Sequence, residues 1–221
     1  MKKKKKIFII IPKYKIGGAE KVMVGIANEL TKYNFKVFLI ILVKSEKFPL
    51  NKNIKLINFG TKKVLSSILK LKKIIDKFKP EICLSTISHT NIALFIASKL
   101  TNHKCKIFLR ESNNLFKSLN TKNFLYNFFF LKLVKISYQN SILITPSKEL
   151  SFSIKKKFRM KQKVFSINNP IMTKNLNLNL KKKFDFINIG SLTYQKDHFT
   201  LLEAFRIANL KKKKSKVNNY R

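Results

Sequence analysis

The stretch IFIIIPKYKIGGAEKVMVGIANEL, residues 7–30, contains the pattern that decides the fold. Its first five residues are four isoleucines and a phenylalanine, a run that is too short for a helix and typical of a strand buried on both faces. A loop with the pair Gly17-Gly18 follows. Apolar residues then recur at helical spacing from Val22 to Tyr33. Strand, glycine loop and helix in this order predict the first unit of an α/β domain.

Short apolar runs and helical segments continue to alternate after this unit. The further runs that predict strands are residues 37–43, 82–85, 107–109, 142–145 and 164–167. One intervening helical face consists of Leu65, Ile68, Leu71, Ile75 and Phe78. Strands that alternate with helices build a parallel sheet covered by helices, so we predict a Rossmann-like α/β domain over residues 1–172.

The pattern changes near residue 173. Residues 173–183 are polar and rich in Lys, Asn and Leu, which indicates a linker. Residues 184–210 then begin a second α/β unit, with a predicted strand up to residue 189 and a predicted helix from residue 197. The pattern fails in residues 211–221, which we interpret as an unrelated or frameshifted tail. Because a Rossmann-like half needs several more units, we expect the second domain to be truncated.

The formal charge of +38 on 221 residues first suggests nucleic acid as a partner. Only Arg110, Arg159, Arg206 and Arg221 are arginines, however, and lysine is spread along the chain together with Asn, Ile and Phe. This distribution resembles an AT-rich coding bias, and solvated faces account for most of the charge. We therefore do not expect nucleic acid to be the main partner.

The cysteines and the apolar runs bear on where the chain resides. Cys83 and Cys105 lie in apolar runs without a second Cys or a His at metal-ligand spacing, so we interpret both as buried thiols in a reducing cytoplasm. The lysine-rich start resembles a signal peptide, but its apolar run stops at Pro12, short of the roughly 7–15 residues that such a peptide needs. No run approaches the roughly 20 residues of a membrane span, so any membrane contact is expected to be peripheral.

The segment Gly17-Gly18-Ala19-Glu20 is the sharpest local signal. Paired glycines let a backbone approach a ligand closely, and the amides at the start of a helix favour an anion. The spacing is neither that of a dinucleotide fingerprint nor that of a P-loop, so it favours neither NAD nor ATP. The alternative is that the glycines only make a tight turn between strand and helix.

Two polar segments follow predicted strands at their carboxyl ends, the edge at which open parallel sheets bind ligands. In SHTN, residues 88–91, His89 is able to donate to a hydroxyl or a phosphate, or to transfer a proton. A single histidine is also an ordinary polar loop residue. In RESNN, residues 110–114, the adjacent Arg110 and Glu111 belong either to a site or to a local ion pair.

Seven short segments occur in an order that resembles family-4 glycosyltransferases of the GT-B type. They are Gly17-Gly18-Ala19-Glu20, Ser88-His89-Thr90-Asn91, Glu111-Ser112-Asn113, Pro146-Ser147-Lys148-Glu149, Asn169-Pro170, GSLTYQKD at 190–197 and LLEAF at 201–205. No single segment identifies the family, but all seven in this order do resemble it. The resemblance extends over residues 7–210.

The resemblance implies two Rossmann-like domains around a cleft, the second holding a nucleotide-sugar and the first a surface-glycan or lipid-linked acceptor. It also implies hexosyl transfer with retention of configuration, without a metal ion or other cofactor. Lys196 matches the lysine that binds the donor diphosphate, where a fixed cation stabilises the leaving group. The other site candidates are Gly17, Gly18 and Ser191 for the donor, Glu111, Ser112 and Asn113 on the acceptor side, and His89 for catalysis.

The chain departs from the family pattern in two respects. Ser191 stands where the family often has an arginine. The diphosphate-binding site therefore has one positive charge fewer, or a neighbouring residue supplies that charge. The family's pair of donor-binding glutamates has no counterpart, since the only acids after Phe184 are Asp185, Asp197 and Glu203. We therefore expect the chain alone to be inactive, either as a truncated product or as one half that a second polypeptide completes.

The stretch 123–135, rich in Phe and Lys, predicts peripheral contact with anionic membrane, at the inner face of the cytoplasmic membrane. The alternative is that Phe128, Phe129 and Phe130 pack in the core. A different functional class also stays open, namely a basic membrane- or nucleic-acid-binding module in which the lysine excess is itself the function.

Overall fold

The computed structural model describes residues 4–14, 18–45, 50–113, 115, 124–170, 186–190, 192 and 196–211. The chain divides into two compact units, Met1–Met172 and Thr173–Arg221. The predicted linker 173–183, the tail from residue 212, and the site candidates Gly17 and Ser191 lie outside the described residues.

Strands and helices alternate along the first unit. The strands are β1 Lys5–Ile11, β2 Phe35–Val43, β3 Lys55–Thr61, β4 Ile82–Thr86, β5 Lys106–Arg110, β6 Ile142–Thr145 and β7 Val164–Ser166. The helices are α1 Gly18–Leu30, α2 Ile68–Phe78, α3 Ser88–Leu100, α4 Phe124–Gln139 and α5 Lys148–Phe158, with a 3₁₀ turn at Leu65–Ser67.

The strands form one seven-stranded sheet in the order β3-β2-β1-β4-β5-β6-β7. Every pairing is parallel. β1 lies in the interior of the sheet, where Ile9 is opposite Leu39 of β2 and Leu84 of β4. The structure thus confirms the predicted fold class, a Rossmann-like parallel sheet covered by helices.

Alternate side chains of the strands build a separate core on each face of the sheet. Phe8 and Ile10 belong to the larger core, which helices α2, α3, α4 and α5 cover. Ile7, Ile9 and Ile11 belong to the smaller core, to which α1 contributes Met23, Val24 and Ala27. All five residues of the opening run are therefore buried, which is why the run is continuously apolar.

The structure corrects several boundaries. β3 was not predicted, because as an edge strand it alternates between exposed and partly buried positions and contains no apolar run. α1 ends at Leu30, and Tyr33 lies beyond it in a turn with an exposed ring. Leu65 belongs to the 3₁₀ turn rather than to α2, and Cys105 is half-buried rather than buried.

The second unit contains helix α6, His198–Lys211, which matches the predicted helix. The predicted strand is wrong where it is described, since residues 186–189 are not paired as a strand. A strand is defined by pairing with a neighbour, and within residues 186–211 no second strand is described that would pair with it. Phe186 instead packs its ring edge-on against Phe205, with 5.7 Å between ring centroids.

No described helix combines the length and the apolar character that a bilayer crossing requires.

Helix α2 offers a matched test of the larger core. We expect Leu71→Ala to lower the free energy of unfolding by about 2–5 kcal/mol, because Leu71 is fully buried and its truncation leaves a cavity. Leu69→Ala changes the same residue type on the same helix, but Leu69 is 65% exposed and should cost less than about 0.5 kcal/mol. Urea denaturation followed by circular dichroism measures both. Equal losses in the two variants would contradict the described packing.

Candidate functional site

The candidate site lies at the carboxyl edge of the sheet. Gly18 begins α1 shortly after β1, His89 lies in the first turn of α3 directly after β4, and Glu111 directly follows β5. These three strands are parallel neighbours, so their carboxyl ends reach the same edge. The structure therefore places Gly18, His89 and Glu111 along one rim of the sheet.

A one-residue turn at Ile87 joins β4 to α3. Ile87 has φ 70° and ψ 134°, a backbone conformation that a β-branched residue rarely adopts. Its amide donates to the carbonyl of Arg110 at 3.2 Å. Strain of this kind costs about 1–3 kcal/mol and clusters at functional sites. Because the turn is so short, α3 begins at the sheet edge, with its positive dipole end beside His89.

A buried carboxylate organises this edge. Glu111 is 1% exposed. Its Oε2 accepts hydrogen bonds from the hydroxyls of Ser88, at 2.6 Å, and of Tyr138. Its Oε1 accepts from the backbone amides of Ser112 at 3.0 Å and Asn113 at 3.2 Å. Both oxygens are thus engaged, and the carboxylate ties α3, α4 and the segment after β5 to one another.

Tyr138 and Asn91 extend this network. Burial, followed by the charge of Glu111, raises the pKa of Tyr138 well above its ordinary value, so the phenol remains a donor. The Asn91 amide donates to the carbonyl of Arg110 at 3.1 Å and to the Tyr138 oxygen at 3.4 Å. Its Oδ1 accepts from the Ser85 hydroxyl at 2.6 Å. The first turn of α3 is therefore held against both β4 and β5.

Arg110 and Glu111 are adjacent, but their side chains bind different partners. Arg110 is buried and donates to Thr86 Oγ1 at 3.2 Å and to Asn169 Oδ1 at 2.5 Å. Burial lowers the pKa of the guanidinium, and the charge of Glu111 partly offsets this effect. Through Arg110, the Asn169-Pro170 segment is fixed at the same edge as His89.

His89 is only partly exposed, and its ring is oriented by aromatic neighbours. Nε2 lies 3.2 Å from the Tyr126 hydroxyl, and the imidazole lies 4.7 Å from the Phe130 ring centroid. Partial burial lowers the pKa of His89, and the charge of Glu111 opposes this shift. This direction favours the neutral imidazole, which is able both to donate and to accept a hydrogen bond.

Three features of the described rim bear on ligand binding. A Cβ at Gly18 would meet no described atom within 4 Å, so packing does not demand glycine there. Thr90 Oγ1 and Ser112 Oγ are buried and have no hydrogen-bond partner within the described residues. A buried hydroxyl without a partner costs free energy, so both groups favour a ligand or water that would bind them.

Lys196 belongs to the second unit, where it lies beside Gly190. A Cβ at Gly190 would come within 3.3 Å of the His198 ring and 3.7 Å of Lys196 Cγ, so a larger residue there would require the His198 ring to shift slightly. Asn188 Nδ2 lies 2.8 Å from His198 Nδ1. Asp197 Oδ1 accepts from the Thr200 amide at 3.3 Å, at the start of α6. The exposed Lys196 is thus presented just before the helix begins.

Sequence reasoning missed the residues that hold the site together. Tyr138 and Tyr126 lie on α4, well away in sequence from His89 and Glu111. The only signal for Tyr138 was its spacing from Phe130 and Val134, which marks the buried face of a helix but not the partner of a hydroxyl. Within the described ranges, no group of three His, Cys, Asp or Glu side chains lies close enough to share a metal ion.

No protein-family model matches the chain, and no curated protein matches it in sequence. Among solved structures it is similar to the apo form of the lipopolysaccharide outer core galactosyltransferase WaaB, with a TM-score of 0.53 and 13% identity. The fold is glycosyltransferase-like. That match covers 77% of this chain and 47% of the galactosyltransferase chain, so this chain spans about half of its length.

A weaker likeness, with a TM-score of 0.39 and 10% identity, involves a wide-type short-chain dehydrogenase/reductase from Veillonella parvula DSM 2008 in complex with NADP. It covers 66% of this chain and 72% of that protein. A TM-score this low shows no more than a shared α/β architecture, so nothing is inferred from the reductase. The description of the fold as glycosyltransferase-like rests on the match to the galactosyltransferase.

We predict that His89 titrates below the ordinary histidine pKa of about 6.5 in the folded chain, because burial disfavours the imidazolium. The contribution of His89 to the free energy of unfolding is therefore fully present above its pKa in the unfolded chain. It is lost as pH falls through the lower pKa in the folded chain. NMR titration of the imidazole in buffer and in urea measures the shift, and His89→Asn assigns the resonance. A folded pKa equal to or above the value in urea would contradict the prediction.

Proposed function

We propose that this chain is the acceptor-side part of a GT-B glycosyltransferase that moves a hexose from a nucleotide-sugar to a surface-glycan or lipid-linked acceptor. One observation carries the proposal: at the carboxyl edge of a glycosyltransferase-like fold, an open glycine at a helix start lies on the same rim as an oriented histidine. The family-4 resemblance of the sequence supports retention of configuration in this transfer.

His89 is the proposed catalytic residue. Its neutral imidazole, held by Tyr126 and Phe130, is suited to hydrogen-bond a sugar hydroxyl or a phosphate oxygen at the rim. The dipole of α3 favours negative charge at the same place. Gly17 and Gly18 are proposed to let the start of α1 approach the donor, and the open space at Gly18 supports this role over that of a tight turn.

Glu111, Ser112 and Asn113 are proposed to form the acceptor side. Glu111 is buried with both oxygens engaged, so we assign it a positioning role rather than contact with the acceptor. Ser112, whose hydroxyl has no partner within the described residues, is the proposed contact. Asn113 is fixed beside it through its backbone amide.

Lys196 and Ser191 are proposed to bind the donor diphosphate. We propose that the exposed Lys196, just before a helix, supplies the positive charge that stabilises the leaving nucleoside diphosphate, and that transfer therefore needs no metal ion. We further propose the organisation set out above, with residues 1–172 as the acceptor-side domain and 184–210 as the start of the donor domain.

Binding at the rim is testable without turnover. We expect methyl hexosides to bind weakly and saturably to the isotope-labelled chain, shifting amide resonances of the residues that follow β1, β4 and β5. His89→Ala should weaken this binding by about tenfold, since a lost hydrogen bond to a ligand is worth about 1 kcal/mol or slightly more. NMR titration supplies the dissociation constants.

His103→Ala is the matched control. His103 precedes β5 and bonds the carbonyl of Pro80 at 2.8 Å, so it lies at the opposite edge of the sheet and its loss should leave hexoside binding unchanged. Shifts that do not saturate would argue against the proposal. If DNA binds instead with an affinity that falls steeply with salt, the lysine excess is the function.

We also propose that helix α4 binds the surface of an anionic membrane, at which a lipid-linked acceptor resides. Phe130 is buried, whereas the outward side of α4 exposes Phe124, Leu125, Phe128, Phe129, Leu133 and Ile136. The exposed Lys132 and Lys135 lie among these apolar residues. Aromatic and cationic residues on one face of a helix suit the interface of an anionic bilayer. The proposed location is therefore the cytoplasmic face of the membrane.

We predict that Phe128→Ser with Phe129→Ser weakens binding to phosphatidylglycerol-containing vesicles by about tenfold or more, since two rings no longer enter the interface. Phe152→Ser is the control, because Phe152 is 68% exposed on α5 and close in sequence to three lysines. Flotation at low salt measures binding. Equal loss in both variants, or no binding of the wild-type chain, would contradict a role for α4.

A further inference from the structure

Two cysteines lie close together at the amino edge of the sheet, opposite the candidate site. Cys83 is in β4, and Cys105 immediately precedes β5. In the parallel register Cys83 is opposite Ile107, so Cys105 is two residues away along the neighbouring strand and on the same face. The two sulfur atoms are 3.8 Å apart and form a hydrogen bond.

The two thiols differ in access. Cys83 is fully buried in the larger core between β1 and β5. Cys105 is half-buried and lines a cavity of about 480 Å³ at this edge, together with Lys99, His103 and Ser141. A small solute in that cavity therefore reaches Cys105 and does not reach Cys83.

The two thiols also differ in reactivity. The hydrogen bond between the two thiols lowers the pKa of Cys105, against the opposing effect of its partial burial. The same hydrogen bond, with burial, raises the pKa of Cys83. A thiolate is the nucleophilic form of cysteine, so Cys105, which lines the cavity and has the lowered pKa, is the thiol that reacts first, and the buried Cys83 lies behind it.

We propose that Cys105 and Cys83 form a reversible dithiol–disulfide site that a small hydroperoxide oxidises through the amino-edge cavity. The Cys105 thiolate attacks the terminal oxygen of the hydroperoxide, the O–O bond breaks, and Cys105 becomes a sulfenic acid while an alkoxide leaves, or hydroxide in the case of hydrogen peroxide. The leaving group takes up the proton that the Cys105 thiol lost and becomes an alcohol or water. Cys83 sulfur then attacks the sulfenic sulfur, releasing hydroxide and the Cys83 proton, which combine as water. Overall, two thiols and one hydroperoxide give one disulfide, one water and one alcohol, or two waters from hydrogen peroxide.

The geometry requires one local movement. A disulfide has its sulfur atoms about 2.05 Å apart, so the present separation of 3.8 Å must shorten by almost half. Cys83 is held by paired strands on both sides, whereas Cys105 lies in an irregular stretch before β5. Cys105 is therefore the residue that moves. The bond would join β4 to β5 at the edge opposite His89 and Glu111.

The test uses the full chain and hydrogen peroxide. Wild type is expected to become lighter by two hydrogen atoms per chain, to lose both free thiols together, and to recover them with a reductant. Cys83→Ser should stop at a sulfenic acid on Cys105, which dimedone traps. Cys105→Ser should leave Cys83 reduced over the same time. Intact-mass spectrometry and peptide mapping distinguish these products.

Phenylarsine oxide provides a measurement on the unmodified chain. This reagent bridges two neighbouring thiols, so one equivalent should bind wild type and block the oxidation by peroxide. Disulfides between chains, oxidation of Cys83 in Cys105→Ser as fast as in wild type, or wild-type thiols that neither bind the arsenical nor oxidise would overturn the proposal.

Discussion

A single buried carboxylate determines how the carboxyl edge of this sheet is arranged. An unpaired charge inside a protein costs several kcal/mol unless hydrogen bonds replace its hydration. Glu111 receives four such bonds, from two hydroxyls and two backbone amides. The donors come from α3, α4 and the segment after β5, so these three parts of the chain must be in place together. The position of His89, in the same helical turn as Ser88, depends on this arrangement.

Most of the sheet could be predicted because its interior strands are buried on both faces. A continuous apolar run such as that of β1 is readable without any knowledge of its neighbours. β3 could not be found in this way. It pairs only with β2, so it is exposed at the edge of the sheet and its sequence contains no continuous apolar run. The predicted strand before Gly190 shows the opposite error, because an apolar run alone does not supply a partner.

The site was predictable only in part, for a related reason. The order of strands places Gly18, His89 and Glu111 at one edge, and topology rules supply that result from local patterns. The partners of Glu111 are a matter of tertiary contact. Tyr138 lies 27 residues from Glu111 in sequence and looks like an ordinary residue of an apolar helix face. The difference in access between Cys83 and Cys105 likewise depends on where neighbouring helices end.

The position of β1 in the interior of the sheet has a consequence for synthesis of the chain. β1 leaves the ribosome before both strands that flank it, and the second of them begins only at Ile82. At about 5–20 residues per second, its apolar run waits on the order of seconds with at least one edge unpaired, a condition that favours aggregation. Lys5 and Lys6 precede the run, and Pro12 follows it. Lysine and proline commonly flank aggregation-prone strands, so both ends of β1 act as gatekeepers until the sheet forms around it.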